Sequence, residues 1–234
     1  MILHSPGGSP EATERIVDLL RTRFERVFFL IPSAAFSAAT MLALSGDGVV
    51  LHPAATLGPI DPQVNGIPAR SIQRGFERVR EVLKLEGPEA LPAYIPLLEK
   101  HSLEILELCA DFLNLSRELV SGWLADYMFK GDSSIETRER ISRATDFFSD
   151  YDHHKTHGRP LTYAKIKHLG LKIETADSNL ASLLREAHVV LNGTFAATPF
   201  VKIYENANGL SWGRNYMVNP SPPQPSVPEP KPGS

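Results

Sequence analysis

Two short segments bring glycine, serine and small side chains together in a way that could stabilise an oxyanion: LHSPGG, residues 3–8, and IPSAAFSAATMLALSG, residues 31–46. Ser37 opens a small-residue run of helical character. Free backbone N–H groups and the positive end of a helix dipole there favour a developing negative charge. Gly7 and Gly8 let the backbone approach a substrate closely. The N–H groups of Gly8 and Ala38 are the candidate oxyanion donors, and one such donor is typically worth roughly 3 to 4 kcal/mol of transition-state stabilisation. Ala34, Ala35, Ala38 and Ala39 keep the approach clear. The chemistry would be attack of the Ser37 hydroxyl on a carbonyl. The competing reading makes Ser37 the cap of a buried helix and SPGG an ordinary turn.

These groups need elements to hold them. Ser9 can cap a helix whose first residue is Pro10, where the missing N–H costs nothing. Ala12, Ile16, Leu19 and Leu20 recur at helical spacing, so an amphipathic helix is expected to about Phe24. VFFLI, residues 27–31, reads as a buried strand by its β-branched and aromatic content. Strand, turn, helix, strand is a βαβ unit.

The window from Val27 to Gly46 carries no charge over 20 residues, which raises the question of a membrane span, since a span needs about 20 apolar residues in one helix. Pro32, four hydroxyls and Gly46 interrupt it. A strand, a tight turn and a buried Ala-rich helix account for it instead. GVVLHPAATLGPIDPQ, residues 48–63, adds a short strand and a turn-rich run in which Asp61 is expected to be a turn former. A helical insert is expected over about 70–148, with an apolar stripe at Ile105, Cys109, Phe112, Leu119, Trp123 and Tyr127. The polar, His-bearing stretch 131–159 reads as loop and turn. TYAKIKHLGLKI, residues 162–173, is a short helix ending at Gly170 and then a strand. Seven of the 19 prolines fall in the last 15 residues, so 219–234 is expected to be a disordered tail.

Composition narrows the function classes. Apolar residues make up 42% and charged residues 22%, and the net charge is −3. These are ordinary values for a soluble globular protein, with no basic excess to suggest nucleic acid. Cys109 is the only cysteine and is expected to be a core residue in a reducing interior. No basic start followed by an apolar run marks a signal peptide. The spacing of His153, His154 and His157 lacks a fourth ligand, so no metal and no cofactor are expected.

The order LHSPGG, a helix, then a strand leading to IPSAAFSAATMLALSGDGVVLHPAATLGPIDPQ resembles the ClpP/crotonase superfamily. More closely it resembles the serine dehydrogenase proteinase family, relatives of signal peptide peptidase A. The matching positions are Leu3 to Gly8, Ser37 with Thr40 to Leu44, Leu57 to Gln63, and the later THGRPLTYAKIKHLGLKI. The resemblance implies an α/β fold of ClpP/crotonase-like stacked ββα units, lacking the first N-terminal strand and helix, within a peptidase domain over 1–218. It implies an ATP-independent serine endopeptidase that cleaves polypeptides through an acyl-enzyme on Ser37, with Gly8 and Ala38 as oxyanion donors. A homo-oligomer is expected, in the cytoplasm or joined to a membrane through residues upstream. Ile60 stands where the proteolytic subunit of Clp protease has its histidine, so the base must come from elsewhere. His157, in the T-H-x-x-P segment, is the first choice. Lys100 and Lys84 are alternatives on the Ser-Lys pattern of signal peptide peptidases, where lysine must be desolvated to accept a proton. A catalytically silent scaffold and a crotonase-type CoA-thioester enzyme are the competing functions.

Overall fold

The computed structural model describes residues 1–99, 102, 104–206 and 208–215. Lys100 and the proline-rich 219–234 lie outside the described residues. The chain divides into two units, Met1–Arg185 and Glu186–Ser234.

The first unit is mixed α/β. Residues 1–5 run parallel to the following strands through bridges from Ile2 to Leu30 and from Ser5 to Ala35. Helix α1 (Pro10–Arg23) begins as expected, with the Ser9 hydroxyl accepting from the Ala12 N–H at 3.2 Å. Its buried face is displaced from the expected one. Thr13 and Val17 are buried, whereas Ile16 and Leu19 are 40% and 65% exposed.

Strand β1 (Phe28–Ile31) continues through Pro32 and Ser33 into β2 (Ala34–Ala35), and helix α2 (Ala38–Leu44) follows at once. Every residue of α2 is buried. The uncharged window is therefore strand, turn and core helix, and among the described residues no helix is long and apolar enough to cross a membrane. Strand β3 (Gly48–Leu51) pairs in parallel with β1, and β4 (Thr56–Leu57) pairs in parallel with β2. Each pass of the chain thus gives one strand to each of two small sheets. Strands β5 (Gln63–Val64) and β6 (Ile67–Pro68) form a hairpin. Its turn residues Asn65 and Gly66 have φ of 53° and 79°, the Asn-Gly solution for a two-residue turn.

The helical insert follows as α3 (Ala69–Glu86), α4 (Leu91–Leu98), α5 (Glu104–Trp123) and α6 (Ile135–Ser149), with a π-helical turn over Leu124–Met128. Helix α6 corrects the expectation of loop across 131–159. Its sequence, IETRERISRATDFFS, is mostly polar, but Ile141, Ala144, Thr145 and Phe148 form a buried stripe, and the Ser134 hydroxyl accepts from the Thr137 N–H to cap it. After α7 (Tyr151–His154), strand β7 (Leu161–Thr162) pairs antiparallel with β4. Helix α8 (Tyr163–Ile166) passes through a 3₁₀ turn to Gly170, whose φ is 68°, and β8 (Ile173–Thr175) then pairs in parallel with β3. The main core joins Phe29, Ile31, Met41, Leu51 and Leu57 to Leu124, Phe148 and Leu161. Cys109 is buried in a second cluster with Val64, Ala69 and Ile72.

Helix α9 (Ser178–Ala197) contains the division between the units. The second unit holds the remainder of that helix and an antiparallel hairpin of β9 (Phe200–Glu205) and β10 (Ser211–Asn215), where the Tyr204 and Trp212 rings meet at 5.5 Å, tilted by 43°.

Candidate active site

Ser37 sits between β2 and α2 with φ of 54° and ψ of −127°. A serine pays roughly 1–3 kcal/mol for such a backbone conformation. The conformation turns a strand into a helix within one residue and brings the side chain out of the core: Ser37 is half-buried while Ala38 to Leu44 are all buried. Neighbouring hydrogen bonds hold the turn. The Phe36 N–H donates to the Ser5 carbonyl at 3.1 Å, and the Met41 N–H donates to the Ser37 carbonyl at 3.1 Å.

Thr40, fully buried, ties this turn to the next strand. Its hydroxyl donates to the Ala35 carbonyl at 2.7 Å and accepts from the Gly58 N–H at 3.1 Å. Gly58 lies under Phe36 so closely that a Cβ there would meet the ring at 2.0 Å. The glycine of LHSPGG nearest the serine is constrained in the same way. Gly7 has φ of 116°, and a Cβ on it would fall 2.7 Å from the Ser37 Cβ and 2.8 Å from the Phe36 oxygen.

Gly8, Ser37 and His157 line one cavity of about 420 Å³, together with Met41, Ile60 and Phe112. Among the described residues, the Gly8 and Ala38 backbone N–H groups have no protein acceptor. Both are therefore available to an oxyanion. The Ser37 hydroxyl likewise makes no hydrogen bond among the described residues.

His157 reaches the cavity from a turn that its own neighbours fix. Asp150 caps α7 by accepting from the His153 N–H at 2.9 Å, and Lys155 ends it with φ of 66°. The Arg159 guanidinium donates to the His153 and His154 carbonyls at 3.2 and 3.1 Å. Arg70 and Arg74 of α3 pair with Asp152 at 3.0 and 2.7 Å, so the insert also steadies this turn. The His157 Nδ1 lies 2.9 Å from the Asp61 Oδ1. Asp61 is 1% exposed, and its Oδ2 has no hydrogen-bond partner among the described residues. Asp61 is thus more than the turn former expected of it. It is a buried carboxylate within hydrogen-bond distance of the candidate base, whose Nε2 has no hydrogen-bond partner among the described residues.

The other candidates fall elsewhere. Lys84 is exposed in the last turn of α3 and does not line the cavity. Lys100 lies outside the described residues. Ile60, 2% exposed, lines the cavity and donates its N–H to the Phe148 carbonyl at 2.8 Å, anchoring the Asp61 segment to the end of α6. Among the described residues no group of His, Cys, Asp or Glu is arranged to hold a metal ion. Sequence reasoning favoured a turn former over a catalytic acid at Asp61; the signal for the acid was its place beside Ile60 in the GPIDPQ segment.

Residues 1–86 match the model of the ClpP-like SDH-type serine proteinase family. The resemblance drawn from the LHSPGG, Ser37 and GPIDPQ segments therefore holds over this stretch. Two uncharacterized proteins of Methanocaldococcus jannaschii are also similar. MJ1495 is 26% identical over 75% of this chain, and MJ0137 is 25% identical over 88%. The chain spans 51% and 65% of their respective lengths. No solved structure gives a significant match.

Proposed function

We propose that the chain is a serine endopeptidase on a ClpP-like core of stacked ββα units, with Ser37 as nucleophile, His157 as general base and Asp61 as the carboxylate that orients the base. The observation that carries this reading is the sharing of one cavity by Ser37, on its strained turn, and a histidine whose Nδ1 is held by a buried carboxylate. With Nδ1–H donated to Asp61, the tautomer leaves the Nε2 lone pair to take the proton from the Ser37 hydroxyl as it attacks. The tetrahedral oxyanion falls to the N–H groups of Gly8 and Ala38. The imidazolium, stabilised by Asp61, then gives its proton to the leaving amine. Water, deprotonated by the same Nε2, releases the acyl group from Ser37. An imidazole needs no burial to be neutral near pH 7, so none of the desolvation required of a lysine base is called for.

A silent scaffold is the second reading, favoured by the Ser37 hydroxyl's lack of a hydrogen bond. Catalytic hydrogen bonds are often long before substrate binds, so that contact alone does not decide between the two. Labelling by a fluorophosphonate, which requires an activated serine, separates them. The expected result is labelling that is lost in Ser37→Ala and kept in Ser33→Ala and Ser45→Ala. A folded protein that never labels overturns the peptidase reading in favour of the scaffold.

A further inference from the structure

We infer that Phe112 and Ser116 of α5 determine which polypeptides are cleaved, by forming a wall of the cavity that takes the side chain of the residue whose carbonyl is attacked, and that the residue preferred there is apolar and of moderate size. The inference rests on the peptidase reading and deepens it. The two residues are four positions apart on one helix, a spacing that puts them on the same face, and both line the cavity that Ser37 and His157 line.

The wall is rigid. Phe112 is half-buried and packs against the cluster of Val64, Ala69, Ile72 and Cys109, while Ser116 is only 2% exposed. Met41 and Ile60 add apolar surface to the same space, whose lining also includes polar groups such as Gln63 and His157. Among the described residues the one carboxylate lining it is Glu11, which accepts a hydrogen bond from the Ser9 hydroxyl. A second negative charge brought in by substrate would meet that carboxylate and lose its hydration against Phe112 and Met41, so acidic residues are excluded. The cavity, about 420 Å³, is partly open to solvent, and where a side chain is held against an apolar wall a single methylene changes discrimination by roughly 10–200-fold. Helix α5 lies beyond the family match at residues 1–86. Selectivity is therefore supplied by the helical insert, and the reacting serine by the shared segment.

The test uses the purified chain and peptidyl-aminocoumarin substrates that differ only in the residue before the coumarin: alanine, leucine, phenylalanine or aspartate. Wild type should favour leucine and reject aspartate. Phe112→Ala should raise the phenylalanine-to-leucine ratio of kcat/KM by roughly tenfold or more, and Ser116→Val should lower the leucine-to-alanine ratio by a similar factor. Should Phe112→Ala fail to fold, Phe112→Leu, which retains apolar packing against Ile72 and Cys109, takes its place with a smaller shift in the same direction. Wild type that labels at Ser37 while every folded variant keeps the wild-type ratios overturns the inference and leaves the peptidase reading standing. Wild type that does not label overturns that reading and the inference with it.

Discussion

His157 and Asp61 are separated by 96 positions in the chain and by 2.9 Å between Nδ1 and Oδ1. The contact is built from both sides. Asp61 is fixed by the Ile60 N–H bond to the Phe148 carbonyl and His157 by the Arg159 clasp on α7.

Asp61→Asn should leave the fold in place and slow acylation of Ser37 by roughly three to four orders of magnitude, because an amide cannot hold the same tautomer or stabilise the imidazolium. Single-turnover acylation, set beside the melting temperature, checks this. A rate within a few-fold of wild type would show that Asp61 does not orient the base.

Thr40→Val should destabilise the protein by about 0.5–1.5 kcal/mol, since it removes the hydroxyl's bonds to the Ala35 carbonyl and the Gly58 N–H while those two groups keep their own bond at 3.0 Å. Acylation should fall as well, because the same hydroxyl links the Ser37 turn to the strand that leads to Asp61. Thr40→Ser keeps the hydroxyl and should recover most of both. Urea denaturation of the two variants, with acylation rates, separates lost hydrogen bonding from lost volume.

Gly7→Ala should abolish fluorophosphonate labelling while leaving far-ultraviolet circular dichroism close to wild type. The added methyl would fall 2.7 Å from the Ser37 Cβ, at a φ of 116° that an L side chain rarely adopts. The turn would have to move to accept it. Gly75→Ala is the control, since a Cβ at Gly75, in α3 and away from the cavity lining, meets nothing within 4 Å.

The buried His154 should give the protein an acid-sensitive limb of stability. Its Nε2 meets the Phe147 carbonyl at 2.6 Å, and its Nδ1 is buried without a partner among the described residues. Burial holds its pKa below the usual 6.5; the Phe147 carbonyl opposes that shift, His153 and Arg159 add to it, and Asp150 works against it. A histidine with a lowered folded pKa binds more protons when unfolded, so stability should fall as pH drops below about 6.5 and continue to fall until the lowered folded pKa is reached. His154→Gln should flatten that part of the melting-temperature profile. An unchanged slope would assign the acid limb to other groups.

Much of the site was legible in the sequence, because its parts are local. Ser9 and Pro10 mark the start of α1, Pro32 marks the end of β1, and the small residues around Ser37 permit a strand-to-helix turn. Each of these signals acts within a few residues. What stayed hidden depends on partners far along the chain. The buried face of α1 is set by what Thr13 and Val17 pack against, and helical spacing alone selected Ile16 and Leu19. Helix α6 buries a narrow stripe from Ile141 to Phe148 beneath a mostly polar sequence, so its hydrophobic pattern is weak. Asp61 looks like a turn residue until His157 is placed beside it.

The separation of Asp61 from His157 also has a temporal meaning. During synthesis the Ser37 turn, its LHSPGG strand and Asp61 all emerge before the histidine that would activate the serine. At 5–20 residues per second the ribosome takes on the order of ten seconds to add the intervening 96 residues. The helices made in that interval must also pack before the Phe148 carbonyl and the α7 turn can bring the two residues together. On the proposed peptidase reading, a nascent chain therefore carries an incomplete nucleophile, which is completed only with the folded insert.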